Sequence, residues 1–296
     1  RSSRVSSSAA SDVYKRQQEE ISQGAGRIAG HLGLDNLIMY YDANNIQLST
    51  TVEEVDSEDV AAKYKAWGWH VIEIDGCCPE AIRKALREAK ATVGQPTLII
   101  GKTIMGRGAV GPNGENYENR VNTHGQPLSA AGASIEATIK NLGGDPEAPF
   151  QIFPDVQELY AARLQELREL AKARKQEEKT WREENPDRAS KLDRWFAGEA
   201  PAVNWKSSEQ KPNQATRAAS ATVLSALAEQ IENMIVASAD LSNSDKTDGF
   251  LKKTRALARG DFGGAFLQPG VAELTMACLC IGTVSYTHLT LPTILR

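Results

Sequence analysis

Residues 60–101, VAAKYKAWGWHVIEIDGCCPEAIRKALREAKATVGQPTLIIG, switch between two periodicities, and that switching decides the fold. Val60, Tyr64 and Trp67 recur at helical spacing until Gly68 offers a stop, after which His70 to Ile74 reads as a strand. Pro79 suits the first turn of another helix, whose apolar face is Ile82, Ala85, Leu86 and Ala89. Thr97 to Gly101 is a second strand. Helices set between short β-rich runs predict parallel βαβ units, hence an α/β fold with a parallel sheet covered by helices on both faces.

The pattern extends in both directions. Upstream, Ile21, Ala25, Ile28, Ala29 and Leu32 form one helical face, Gly33 ends it, and Leu37 to Tyr41 reads as a buried strand closed by the turn residues Asp42 to Asn45. Downstream, residues 105–125 form a loop with five glycines, and loops of that length are usually functional or disordered. From Pro154 to Glu184 charged residues surround a stripe of Val156, Leu159, Tyr160, Leu164 and Leu167, which predicts an amphipathic helix with a solvated face. Asn185-Pro186 breaks it. Residues 186–212 read as a connection between domains, anchored by Trp195, Phe196 and Trp205, and a second domain opens near Asn213. Its helix, Val223 to Ile231, feeds a strand from Met234 to Ala239.

The two ends differ from the middle. Residues 1–16 are rich in Ser and Arg without an apolar core, and residues 284–296, VSYTHLTLPTILR, follow the preceding apolar run abruptly. Both are expected to be non-native tails. A chain of 296 residues is long enough for two domains, and a net charge of −4 speaks against general binding to nucleic acid or anionic membrane. The run from Val271 to Val284 carries Glu273 and is shorter than the ~18–20 residues of a membrane span. Four cysteines without metal-site spacing fit a reducing, cytoplasmic compartment.

In open α/β sheets, ligands lie beyond the carboxyl ends of the strands, which selects Asp42–Ile46, Thr103–Gly108 and Asp240–Asp245. Asn44 could offer an amide oxygen to a hard cation, although an Asx turn would account for it as well. His124 lies in a loop beside Gly125 and Pro127, where an imidazole can meet a phosphate, move a proton or simply face water. Glu273 stands among small and apolar residues, where a carboxylate is costly unless it is paired, used, or placed at a helix N-terminus.

Taken in order, these segments resemble the transketolase family from Gln17 to about Thr283. QEEISQGAGRIAGHLGLDNLI (18–38) and YYDANNIQLS (40–49) are similar to the second half of its thiamine-diphosphate signature. KYKAWGWHV, PTLIIGKTIMGRGA and THGQPL follow as further landmarks, and TRAASATVL, SADLSNSDKT and GVAELTM resemble the start of its pyrimidine-binding domain.

The resemblance implies a thiamine-diphosphate-binding fold with a truncated second α/β domain. Residues 17–150 would be the diphosphate-binding domain, 151–212 a helical linker and 213–283 the start of the pyrimidine-binding domain. It implies a homodimeric transferase of the pentose phosphate pathway, using thiamine diphosphate with Mg2+ or Ca2+ to move a two-carbon ketol unit between sugar phosphates. Asn44 would give its side-chain oxygen, and Ile46 its carbonyl, to the metal. His124 would face the cofactor diphosphate and the reacting centre, and Glu19 matches an interface glutamate of the signature. Glu273 would bind the aminopyrimidine ring, while Arg217 and Ser244 match positions that hold the sugar phosphate. The signature normally opens Gly-Asp-Gly, yet the position of its Asp falls on Tyr14, and Asp12 is no convincing substitute. The chain therefore reads as an internal fragment, inactive alone. Another thiamine-diphosphate enzyme, of the deoxyxylulose-phosphate synthase or 2-oxoacid dehydrogenase type, and a non-catalytic chain are the alternatives.

Overall fold

Three buried residues in a row, Leu98, Ile99 and Ile100, require cover on both faces of whatever strand carries them. The computed structural model, which describes residues 20–287 and the side chains of 21–283, supplies it. Helix α1 (Glu20–Leu32) leads to strand β1 (Ile38–Ala43), helix α2 (Val60–Ala66), strand β2 (His70–Asp75), helix α3 (Pro79–Ala91) and strand β3 (Thr97–Lys102). The strands form a parallel sheet in the order β1-β3-β2. Strand period sorts the side chains. Tyr41, Leu98 and Ile100 join Ala29 of α1, Tyr64 of α2 and Trp69 on one face. On the other, Ile38, Tyr40, Ile72, Ile74 and Ile99 pack on Ala85 and Ala89 of α3. From β1 the chain crosses to the far edge by α2, then returns to the centre by α3. Because the direction of travel reverses, the helix must change face for both crossovers to keep one hand.

The register aligns Ala43 and Asp75 with Lys102, so all three strands end at one level. There the Tyr40 ring lies over Gly101, where a Cβ would stand 1.9 Å from the phenol oxygen. Only glycine fits beneath it.

Beyond β3 come α4 (Ile135–Asn141), α5 (Pro154–Glu184) and α6 (Pro186–Phe196). No residue of α5 is buried: Leu159 and Tyr160 are 66% and 70% exposed. The apolar stripe foreseen on this helix thus meets solvent along with the charged face. The segment expected to be mere connection includes α6, since the Pro186 that stops one helix starts the next. Next are α7 (Thr216–Gln230), β4 (Val236–Ala237), the single turns α8 (Ser242–Asp245) and α9 (Asp248–Leu251), β5 (Phe266–Leu267) and α10 (Glu273–Thr287). Strand β4 is shorter than the run from Met234 to Ala239 suggested, and it pairs in parallel with β5, which the sequence reading missed.

The chain divides into two compact units. Among the described residues, one comprises 20–45, 50–104 and 201–287; the other comprises Ile46–Ser49 and Met105–Ala200. Within the first unit α10 packs against α1. Arg27 Nη2 also donates to the Pro269 carbonyl at 2.7 Å, and Arg259 Nη2 to the Gly94 carbonyl at 2.5 Å. Glu19, residues 1–16 and residues 288–296 lie outside the described residues; α10 itself runs on through Thr287, past the change of composition at residue 284.

Candidate functional site

The segments chosen from the strand-end rule do follow strand ends. Asn44 comes directly after β1 and is 7% exposed. Beside it Asn45 adopts φ 60°, its carbonyl accepts from the Val52 amide at 3.1 Å, and its side-chain amide donates to Glu53 Oε1 at 3.1 Å. Left-handed backbone of this kind is tolerated by Asn better than by most residues. At the end of β3 the Thr103 hydroxyl hydrogen-bonds Asp42 Oδ1, and the Gly76 amide donates to the Lys102 carbonyl at 2.8 Å. Tyr40 is central here. Burial first, then the nearby Asp42, Cys77 and Asp75, holds its hydroxyl above the ordinary phenol value.

In the second unit, Ile46 is 3% exposed. The loop from Met105 folds back on residues 117–124: the Asn119 amide donates to the Met105 carbonyl at 2.9 Å, and the Gly108 amide to Glu118 Oε1 at 2.7 Å. Gly106, at φ 63°, lies beside the buried Thr123, whose hydroxyl donates to the Arg120 carbonyl at 2.7 Å. The next residue, His124, is half-buried and ends the 3-10 turn Val121–Thr123 with its amide on the Val121 carbonyl. The unit therefore brings Gly106 and the approach to His124 together.

Arg217 and Ser244, matched separately to sugar-phosphate positions, are neighbours: Arg217 Nη1 donates to the Ser244 carbonyl at 3.4 Å. Both are exposed, one on α7 and the other on α8 after β4. Next to Ser244, the Asp245 carboxylate accepts from the Thr247 amide and hydroxyl, both at 2.8 Å, and from the Ser238 hydroxyl at 3.0 Å. Slight burial pushes this carboxyl up, but those three hydrogen bonds outweigh it and leave it below the usual carboxylate range. Glu273 differs from expectation. It is the exposed first residue of α10, so the apolar composition around it in sequence is not its surroundings in space. A carboxylate there is stabilised by the helix N-terminus rather than penalised.

Asn44 and a backbone carbonyl are hard oxygen donors, of the chemistry that Mg2+ or Ca2+ takes. Among the described residues no cluster of three His, Cys, Asp or Glu side chains could hold a metal. A cation here would thus draw its other ligands from phosphate oxygens and water, as Mg2+ commonly does. From sequence, Tyr40 and Gly101 read only as strand residues and Cys77 as an incidental thiol. A glycine closing the β-rich run Thr97–Gly101 was the available sign that something packs closely on that strand.

A parallel sheet with its polar loops gathered at the strand ends defines the class of α/β proteins whose ligand sites lie beyond the carboxyl ends of the strands. Residues 14–201 match the family described as transketolase, thiamine diphosphate binding domain. The chain belongs to the transketolase family. Chloroplastic transketolase-1 of Arabidopsis thaliana is 34% identical over 278 residues, which are 90% of this chain and 35% of the relative. Dihydroxyacetone synthase of Pichia angusta is 32% identical over 273 residues, 88% of this chain and 37% of the relative. The crystal structure of Pichia stipitis transketolase in complex with sedoheptulose-7-phosphate superposes with a TM-score of 0.78 at 29% identity, covering 92% of this chain and 40% of that one. The chain thus spans between about a third and two-fifths of the length of these relatives. Among the described residues no helix is long and apolar enough to cross a membrane.

Proposed function

We propose that these residues are the cofactor-holding part of a ketol transferase, which moves a two-carbon unit from a ketose phosphate to an aldose phosphate. The single observation that carries the reading is the family match over residues 14–201; the burial of Asn44 just beyond β1 agrees with it. When bound, thiamine diphosphate supplies the electron sink for breaking and making the carbon–carbon bond. The protein's part is to hold, orient and manage protons. The Asn44 side-chain oxygen and the Ile46 carbonyl would hold Mg2+ or Ca2+ beside the diphosphate. His124 donates to phosphate oxygen and exchanges a proton with a substrate hydroxyl, a role suited to an imidazole near neutral pH. Glu273 would hydrogen-bond the aminopyrimidine ring and hold a proton there. Arg217 and Ser244 receive the sugar phosphate, the guanidinium through charge-assisted hydrogen bonds.

The same reading makes residues 17–150 a diphosphate-binding domain, 151–212 a linker and 213–283 the opening of a pyrimidine-binding domain. It also makes the complete enzyme a homodimer in which Glu19 lies at the interface and Glu273 serves the cofactor of the other subunit. The compartment is reducing and cytoplasmic, although the chloroplastic relative makes a plastid the alternative. The name of the Pichia angusta relative, dihydroxyacetone synthase, makes formation of dihydroxyacetone the second possibility. Calorimetry with thiamine diphosphate and Mg2+ on the intact protein tests the reading. Asn44→Ala should weaken binding at least ~10-fold, the loss of about 1.4 kcal/mol; unchanged affinity would remove Asn44 from the site. A coupled assay comparing sugar phosphates with dihydroxyacetone then decides the substrate.

A further inference from the structure

Cys77 and Cys78 are adjacent in the turn between β2 and α3, both half-buried, and none of the four cysteines is in a disulfide. Asp75 draws the turn tight: its carbonyl accepts from the Cys78 amide at 3.2 Å and its carboxylate from the Cys77 amide at 2.9 Å. Cys78 is then the N-cap of α3, but its side chain makes no capping hydrogen bond, meeting only Glu80 Oε2 at 3.7 Å. Neither thiol takes part in the function proposed above. The other pair, Cys278 and Cys280, lies two residues apart on α10, where side chains point to different sides of the helix and cannot meet. Although Cys280 is the more exposed, only the first pair gives an oxidised sulfur a resolving thiol next door.

We propose that Cys77 and Cys78 form a reversible oxidation site, closing to a vicinal disulfide under peroxide. One thiol is oxidised to a sulfenic acid as hydrogen peroxide is reduced to water. The neighbouring sulfur attacks it, expels a second water and forms the S–S bond. Two thiols thereby lose two hydrogens, and one peroxide yields two waters. Neighbouring Cα atoms stand ~3.8 Å apart, short of the ~4.4–6.8 Å that disulfides usually span, so this bridge is strained and readily reduced again. Such lability suits a switch, not a staple. Closing the ring bends the backbone at Cys78, which is extended at φ −102° and ψ 108°, and so disturbs the first turn of α3, where the Ile82 amide bonds the Cys78 carbonyl at 3.1 Å. The disturbance also reaches the strand ends, since a Cβ on Gly76 would lie 2.8 Å from the Tyr40 hydroxyl.

The chain is titrated with hydrogen peroxide, the residual thiols are alkylated, and peptides are mapped by mass spectrometry before and after dithiothreitol. The expected result is loss of two of the four thiols, a two-hydrogen mass decrease confined to the 77–78 peptide, and full recovery on reduction. Cys77→Ser and Cys78→Ser should each abolish the reversible loss, and the double Cys278→Ser, Cys280→Ser variant should keep it. Hydrogen exchange should quicken at the Cys77 and Cys78 amides of the oxidised form alone. Reversible oxidation that survives in Cys77→Ser, bridging to α10 or to another molecule, or direct passage to sulfinic acid at residues 77–78 would each overturn the proposal.

Discussion

Gly24 and Thr275 interlock where α1 meets α10: a Cβ at Gly24 would stand 2.2 Å from Thr275 Oγ1 and 2.9 Å from its Cγ2. Thr275 is itself buried, at 8% exposure, so it has little room to withdraw. Gly24→Ala should therefore destabilise the first unit. Overpacking costs about 1–3 kcal/mol, and the better helix propensity of Ala returns ~1. Thr275→Ala removes both clashing atoms and should restore most of the loss in the double variant. Urea midpoints of the four proteins check this; additive losses would mean that the two residues do not share the contact.

Tyr64, buried in the core between Trp67 and Trp69, has its hydroxyl pushed up to about 12, by burial first and by Glu58 second. An unfolded chain ionises tyrosine near 10. The raised folded value gives stability that is intact below about 10 and is lost as pH rises toward 12, because the unfolded state sheds its proton first. Absorbance of phenolate should show Tyr64 ionising last and together with unfolding. Reversible ionisation of every tyrosine near 10 with the fold intact would contradict this.

Asp245 works in the opposite direction. Its carboxyl lies below the usual range despite slight burial, so the stability it contributes is present above about 3.9 and disappears as pH falls through its folded value. Asp245→Asn should flatten that acid limb while leaving the pH dependence above neutrality unchanged, as read from thermal midpoints across the range.

The 296-residue chain by itself should bind thiamine diphosphate more weakly than ~1 mM and show no ketol transfer. The two protein ligands proposed, Asn44 and Ile46, are both uncharged, whereas Mg2+ beside phosphates is usually also held by one or two carboxylates. Micromolar affinity in calorimetry would mean that the ligand set has been drawn too small.

In the intact protein Glu273→Gln should lower turnover at least ~100-fold, at the upper part of what a misplaced or missing proton-transfer group costs, with cofactor affinity changed far less. Glutamine keeps the shape but not the charge. Equal losses in turnover and affinity would assign Glu273 to binding alone.

The parts of the fold that could be read directly were those with a local cause. Pro154 at a first helical turn and Asn185-Pro186 at its end bound α5 correctly, and the apolar runs at 37–41 and 97–101 became β1 and β3. What escaped depends on distant partners. Strand β5 is two residues long and is a strand only because β4 lies beside it, a pairing across about 30 residues of turns. Glu273 has apolar neighbours in sequence but solvent in space, since the covered side of α10 is set by its packing on α1 and not by local composition. The juxtaposition of Arg217 and Ser244 depends on α7 and α8 meeting, which no periodicity in either segment announces.

The bond from Arg27 to Pro269 joins positions 242 residues apart. A ribosome adding ~5–20 residues per second needs between about 12 and about 48 s to deliver the second after the first. For that interval the three-stranded sheet can assemble, because α1, α2 and α3 all precede its last strand, but the Gly24 side of α1 faces solvent or a chaperone. The nascent chain is most exposed to misassociation in this window. Slowing synthesis would lengthen it, and truncation before α10 would make it permanent.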